Sequence, residues 1–344
     1  MYLGQLLSGR DPKVLDFRAR VDRLIKKLDR RETIVSVQTE SRDSLSVSMA
    51  ICRTILTFCQ AIFITSPAIL KVVVFLGIWL GLWLPFAIPR SIHIKWRPGL
   101  PLLPDQKLPL LASLYLLAPI VVGITAKLEK SNLSDYGVIW ETATLADVSR
   151  GFAVGVLGLL FLFSLQFVLG AIEWTFPMGE WRKLSPSIPS GFSAFMFRSI
   201  ALCLPTFLLA LWVAGTEEIV FRGVLQNLLQ PQYSLWEAAA IVSLIFALLH
   251  LIWESRETLP QIPGLWLMGM VLAWARIVDG GSIALAWGIH TGWVWGMISL
   301  DTAGIVRHTD KIPEWIGGIS GKPLAGVLGI VLLLGTGAVL VRYQ

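Results

Sequence analysis

Residues 214–222 read Ala-Gly-Thr-Glu-Glu-Ile-Val-Phe-Arg, and apolar runs of membrane-spanning length lie on both sides. The adjacent acids Glu217 and Glu218 are therefore predicted at membrane depth, where ionisable groups are costly unless they are paired or line a wet cavity. Glu218 and Arg222 are four residues apart, so on an α-helix they share a face and are predicted to form an ion pair. Glu217 lies about 100° around such a helix. It lacks an obvious local counter-charge, which leaves it available for chemistry.

The composition is that of a polytopic membrane protein. Of 344 residues, 55% are hydrophobic and 15% charged, and the mean hydropathy is +0.68, well outside ordinary globular usage. The first 48 residues are polar and charged, which argues against a cleaved secretory signal. Three cysteines, Cys52, Cys59 and Cys203, lie in or beside apolar runs and are odd in number, so we interpret them as small packing residues and not as a disulfide framework.

Positive charge is concentrated near the N-terminus, because 11 of the 29 Lys and Arg fall in the first 53 residues. This asymmetry predicts a cytoplasmic N-terminus. Apolar residues at helical spacing alternate there with basic ones, and the apolar set is Val14, Phe17, Val21, Leu24 and Leu28. The pattern predicts a basic amphipathic helix, either lying on anionic lipid or packed on the membrane domain or on another copy.

Hydropathy predicts an all-α polytopic bundle of about eight transmembrane helices, with a range of seven to nine. The predicted spans are residues 70–89, 108–126, 151–174, 197–215, 235–253, 262–278, 281–300 and 323–341. A further apolar run, 46–66, predicts either a ninth crossing or an interfacial helix, and the side on which the basic loop 90–107 lies depends on that choice. We expect an N-terminal extension over 1–48 and one transmembrane domain over 49–344. The multi-pass protein would reside in a cytoplasmic or thylakoid-type membrane.

Two of the four histidines lie within apolar segments. His250 ends the run Phe246-Ala247-Leu248-Leu249, and His290 lies in Ala286-Trp287-Gly288-Ile289-His290. A single histidine on an apolar helix is usually a satisfied core residue, but two of them with a double Glu, on three predicted spans, indicate an active site. Glu and His can move a proton or ligate zinc. Water is the expected nucleophile, since no Ser or Cys in the set has a clear adjacent base.

These three segments together resemble the CPBP family, the CAAX-protease and bacteriocin-processing membrane proteins also called Abi. The family pattern is Glu-Glu-x-x-x-Arg, then Phe-x-x-x-His, then a later His-x-x-x-Asn or similar residue. The matching residues lie within about 200–300 and are Glu217, Glu218, Arg222, Phe246, His250 and His290. The segment around His290 also looks like members from cyanobacteria and plastids.

The resemblance implies an all-helical intramembrane endopeptidase in which Glu217 activates a water for attack on a peptide carbonyl. Glu218 and Arg222 match the family's second Glu and its Arg, and His250 and His290 would position the water or stabilise the oxyanion. Two mechanisms stay open, a metal-free glutamate protease and a zinc enzyme in which Glu217, His250 and His290 are the ligands. One departure stands out, because Val294 occupies the position of the family's Asn-like residue.

Three functions follow from this pattern. The first is cleavage of a membrane-embedded or lipidated protein or peptide, with the lipid bilayer as the other partner and no nucleic acid. The second is a catalytically impaired family member that acts as a membrane scaffold, immunity factor or chaperone, as the loss of a polar group at Val294 would allow. The third is a proton-coupled transporter with a relay through Glu217, His250 and His290.

Overall fold

The computed structural model describes residues 63–97, 102–175 and 192–343, together with residues 19, 23, 26, 53, 54, 57, 58, 60 and 61. Of these, residues 104, 105, 192–202, 254 and 343 are described for the backbone alone. The chain divides into two compact units, Met1–Ile62 and Phe63–Gln344. All the candidate functional residues belong to the second unit, which is the unit described below.

The second unit is an all-α assembly. Its α-helices are α1 Ala68–His93, α2 Pro104–Glu129, α3 Thr142–Val168, α4 Phe192–Glu217, α5 Gln226–Leu229, α6 Leu235–Leu249, α7 Leu251–Thr258, α8 Ile262–Val278, α9 Ala284–Ala303, α10 Glu314–Gly317 and α11 Val327–Leu340. A π-helix, Glu218–Leu225, joins α4 to α5, and short 3₁₀ segments occupy Leu133–Tyr136, Leu259–Gln261, Ile319–Gly321, Pro323–Ala325 and Val341–Tyr343. Strands β1 Ile172–Trp174 and β2 Val306–His308 form an antiparallel ribbon.

Six helical segments among the described residues are long and apolar enough to cross a membrane, and α11 is a shorter apolar helix. The polytopic bundle is thus confirmed. Within the described residues, six of the eight predicted spans correspond to these segments, and the last predicted span corresponds to α11. The six segments are Ala68–His93, Gln106–Glu129, Thr142–Val168, Cys203–Leu229, Leu235–Trp253 and Ser255–Val278. The seventh predicted span, 281–300, is a helix, α9, but its His, Gly and Trp residues make it less apolar than those six.

The fourth predicted span was wrong at its C-terminal end. It was placed at 197–215, before the glutamates, whereas α4 and the π-helix form one continuous helix in which the apolar segment runs over Cys203–Leu229. Hydropathy falls at the acidic pair, but the backbone stays helical there, and Glu218 pairs with Arg222 on the same element. Glu217 and Glu218 consequently lie near the middle of a span.

The third predicted span was also wrong at both ends. Helix α3 begins at Thr142. Polar residues in its first turns, such as the paired Asp147 and Arg150, lower the mean hydropathy there, so the predicted span began too late. It ends at Val168, because Gly170 has a φ of +78° that turns the chain out of the helix. Residues 172–174, predicted as span, instead pair with Val306–His308 as a β-ribbon, in which Glu173 lies opposite Arg307.

Helix α9 is held against α3 by glycines at four-residue spacing on both helices. On α3 they are Gly151 and Gly155, and on α9 they are Gly288, Gly292 and Gly296. A Cβ at Gly288 would lie 2.1 Å from Val148 O, and one at Gly151 would lie 2.3 Å from Leu285 O. Only hydrogen side chains permit this approach, as in small-residue contacts between membrane helices. The contact sets the position of His290, which α9 carries.

Several N-terminal predictions concern residues that the structure does not describe. Of the predicted amphipathic helix only residues 19, 23 and 26 are described; they are helical and exposed. The boundary between 48 and 49, most of the run 46–66, and Cys52 and Cys59 lie outside the described residues. Cys203 is a free thiol and is half-buried, so it is less enclosed than predicted.

Candidate active site

The predicted pair of Glu218 and Arg222 is present. Arg222 Nη1 donates a 2.9 Å hydrogen bond to Glu218 Oε1, and the two side chains are 1% and 0% exposed. The pair lies in a π-helix, not the α-helix assumed from spacing. π-Helical turns are rare and occur often at functional sites. Arg222 also lies 4.9 Å from the ring centroid of Phe246, and its Nη2 donates to Gly269 O at 3.3 Å, so the guanidinium is enclosed on several sides.

A second arginine stabilises the π-helix. Arg276, on α8, donates from Nη1 to Arg222 O, from Nη2 to Asn227 Oδ1 at 2.9 Å, and from Nε to Gly281 O at 3.0 Å. Buried backbone carbonyls need a partner, and Arg276 provides one for the carbonyl of Arg222. No sequence motif indicated Arg276, although a charge within an apolar run is itself a signal.

His290 bridges the two glutamates. Its Nδ1 lies 2.7 Å from Glu218 Oε1, and its Nε2 lies 3.4 Å from Glu217 Oε2. Because a carboxylate only accepts, Nδ1 is the protonated donor toward Glu218. The contact between Nε2 and Glu217 is attractive only if a proton lies on one of those two atoms. This geometry connects the carboxylate that Arg222 holds with the one left for chemistry.

Glu217 has polar partners on other helices. In addition to His290, the hydroxyl of Tyr115 on α2 donates a hydrogen bond to Glu217 Oε1. Tyr115 is 102 residues away in sequence, so spacing could not indicate the contact. A weak signal did exist, because Tyr115 is the sole tyrosine in the six described spans.

His250 lies at the junction of α6 and α7 and is half-buried. The start of α6 is fixed by a capping box, in which Ser234 N donates to Glu237 Oε2 at 2.8 Å and Glu237 N donates to Ser234 Oγ at 3.4 Å. His250 Nδ1 is 2.8 Å from Phe246 O. Since a carbonyl only accepts, Nδ1 is protonated, and in a neutral imidazole Nε2 keeps a free lone pair.

Glu217, Tyr115 and His250 line one cavity of about 240 Å³. The rest of its wall is mostly apolar and aromatic and includes Trp79, Trp83 and Trp253. His290 approaches Glu217 from behind this wall. A mostly apolar pocket with a few convergent polar groups is the usual form of a ligand site. The structure therefore brings all five predicted site residues to one region. Contacts of His290 join it to Glu217 and Glu218.

The zinc alternative can be compared with this geometry. His290 Nε2 and Glu217 Oε2, 3.4 Å apart, have the separation of two ligands that share one tetrahedral ion with bonds of about 2 Å. Among the described residues, however, no group of three or more His, Cys, Asp or Glu is arranged to hold a metal ion. The full ligand set predicted from Glu217, His250 and His290 is thus not assembled.

The polar groups near Val294 lie away from the cavity of Glu217. Thr291 Oγ1 donates to Trp287 O at 2.7 Å, and Trp295 Nε1 donates to Cys203 O at 3.1 Å. Trp293 Nε1 is buried without a hydrogen-bond partner among the described residues, on the side of α9 that faces Gly158 of α3. Thr291, Trp293 and Trp295 do not line the cavity of Glu217.

The comparisons with known proteins agree with this region. Residues 199–296 match a protein family described as type II CAAX prenyl endopeptidase Rce1-like. This segment is similar to that family. Neither the comparison with curated proteins nor that with solved structures found a match.

The Rce1-like segment confirms the CPBP resemblance drawn from the motifs. It contains Glu217, Glu218, Arg222, His250 and His290, and it begins after α1 and α2 in the chain. The family supports a CAAX-type intramembrane endopeptidase, and hence a membrane-integral hydrolase. The likeness to cyanobacterial and plastid members, the membrane type and the cytoplasmic N-terminus stay predictions.

Proposed function

We propose that this protein hydrolyses a peptide bond in a membrane-associated or lipidated protein or peptide, with a water molecule activated by Glu217. The observation that carries the proposal is the placement of Glu217 and His250 on one mostly apolar cavity, with Glu218 and Arg222 paired behind it. The carboxylate that Arg222 neutralises is held by the fold. The other faces the space where a substrate would bind.

The reaction uses residues of the chain itself. Glu217 takes a proton from water while the water oxygen attacks the carbonyl carbon of the substrate, giving a tetrahedral oxyanion. As the intermediate collapses, the C–N bond breaks and the leaving nitrogen takes the proton from Glu217. His290, 3.4 Å from Glu217 Oε2, shares that proton and keeps it at the site. His250 Nε2 accepts a hydrogen bond from the water and directs its oxygen toward the substrate.

Val294 favours a second function, a family member with impaired catalysis that works as a scaffold. A valine on the His290 face of α9 offers no hydrogen bond to an oxyanion. Removing one oxyanion donor costs roughly 100-fold or more in rate. A scaffold would keep its cellular role when Glu217 is replaced but lose it when the pair of Glu218 and Arg222 is broken.

The test compares Glu217→Gln with the wild type and with Glu257→Gln, a matched change at an exposed residue that pairs with Lys322. The full chain is reconstituted in liposomes and given a library of quenched fluorescent peptides with and without an attached lipid chain. We expect cleavage by the wild type and by Glu257→Gln, and none by Glu217→Gln. Cleavage by Glu217→Gln at the wild-type rate would rule out the assigned base, and a wild type that cleaves nothing would favour the scaffold.

A further inference from the structure

Tyr115 is the polar contact of Glu217 that the matched family segment does not contain. Its hydroxyl donates to Glu217 Oε1, and both residues line the cavity that holds His250. Tyr115 lies on α2, whereas the match begins at residue 199. The site is thus completed by a helix outside the segment that identifies it.

Helix α2 is fixed where it presents Tyr115. Two tryptophans of α1 hydrogen-bond to carbonyls of α2, Trp79 Nε1 to Leu114 O at 3.0 Å and Trp83 Nε1 to Leu110 O at 3.1 Å. Trp83 also packs edge-on against Trp253, with ring centroids 6.0 Å apart, three residues beyond His250. The same two rings that hold α2 in place therefore form the wall of the cavity.

The hydrogen bond constrains the carboxylate of Glu217. One oxygen, Oε1, is bound by Tyr115, and the other, Oε2, faces His290 at 3.4 Å. A carboxylate without partners can rotate about its last side-chain bond, and the hydrogen bond from Tyr115 opposes that rotation. The contact of Oε2 with His290 adds to this restraint when a proton lies on one of those two atoms. Because the aromatic ring leaves Tyr115 few rotatable bonds, its hydroxyl is well suited to this task.

We propose that Tyr115 is a positioning residue for Glu217, holding Oε1 so that Oε2 is directed to the attacking water and to His290. The proposal rests on the proposed function for its effect on rate. It makes a separate statement about the carboxylate itself. The hydroxyl does not contact the substrate in this assignment, so its loss slows turnover without weakening binding.

The first experiment measures kcat and KM for Tyr115→Phe, which removes one hydroxyl and keeps the ring. Tyr233→Phe is the matched control, because Tyr233 lies in the loop before α6 and does not line the cavity. The full chain in liposomes is assayed with a quenched peptide that the wild type cleaves. We expect Tyr115→Phe to lower kcat roughly tenfold or more, as the loss of an orienting partner does, with KM and the thermal midpoint unchanged. A variant with wild-type kcat, or one that merely melts earlier, would overturn the assignment.

The second experiment works without a substrate. A hydrophobic carbodiimide, which labels carboxyl groups within membranes, is added to the same proteins, and the label on Glu217 is followed by mass spectrometry. We expect Glu217 to react faster in Tyr115→Phe than in the wild type or Tyr233→Phe, because Oε1 has lost its partner. Equal labelling would contradict the proposal. If the wild type cleaves no peptide the proposed function fails, but the labelling still decides the role of Tyr115.

Discussion

The Nδ1 atom of His290 lies 2.7 Å from Oε1 of Glu218, and both side chains are almost completely buried. Arg222 Nη1 reaches the same oxygen at 2.9 Å. Glu218 thus accepts two charged or polar donors at one atom and, through His290, is connected to Glu217. The two adjacent glutamates differ in what they can do because their partners differ.

Replacing His290 by Gln should separate its hydrogen bond to Glu218 from its role in proton transfer. A glutamine amide can still donate to Glu218, but it cannot carry a proton at the position of Nε2. We expect kcat to fall about 100-fold, with the thermal midpoint close to the wild type, in the liposome assay with a cleaved peptide. His93→Gln, a change in the exposed last turn of α1, is the control. Wild-type turnover by His290→Gln would exclude a role in proton transfer.

Replacing Arg222 by Met should destabilise the protein. The variant leaves Glu218 buried at 0% exposure without its guanidinium, and breaking a buried ion pair by removing one partner costs about 3–5 kcal/mol. Thermal unfolding in detergent measures the loss.

The double variant Glu218→Gln, Arg222→Met provides the control for this prediction. It removes both charges, so we expect it to recover part of the stability that the single variant loses. A single Arg222→Met protein as stable as the wild type would show that the pair does not support the fold.

Adding one methyl group at Gly288 should displace α9. A Cβ there would meet Val148 O at 2.1 Å, so the helix that carries His290 must move. Overpacking of this kind costs about 1–3 kcal/mol, and we expect Gly288→Ala to lower both the thermal midpoint and kcat. Gly77→Ala is the matched control, because nothing lies within 4 Å of a Cβ at Gly77. Unchanged melting of Gly288→Ala would mean that α3 and α9 are not packed as closely as described.

Chelation should not abolish cleavage. The described residues do not assemble three metal ligands, and the proposed reaction uses Glu217 with His250 and His290. We expect ortho-phenanthroline and its non-chelating meta isomer to leave the same activity. Loss of activity with the ortho isomer alone, restored by added zinc, would instead support the ligand set Glu217, His250 and His290.

Much of the site was predictable because its spacing is local. Glu218 and Arg222 are four residues apart, and both α- and π-helical turns bring such residues together. The motif order also identified His250 and His290. The end of the fourth span, at Leu229, was not predictable from hydropathy, since an acidic pair lowers the average even where the helix continues. The close contact between α3 and α9 was not predicted either. The glycines repeated at four-residue spacing are typical of such contacts, but they do not show which two helices meet.

Composition and short-range spacing were enough to predict an all-helical membrane protein with a paired Glu218 and Arg222, because neither requires knowledge of how helices pack. The surroundings of Glu217, in contrast, depend on how the helices pack. Tyr115 and His290, 102 and 73 residues from it in the chain, meet its two oxygens through the packing of α2 and α9. Contacts between helices that are distant in the chain depend on packing at ångström precision. Such packing cannot be predicted from the pattern of residue types along the sequence.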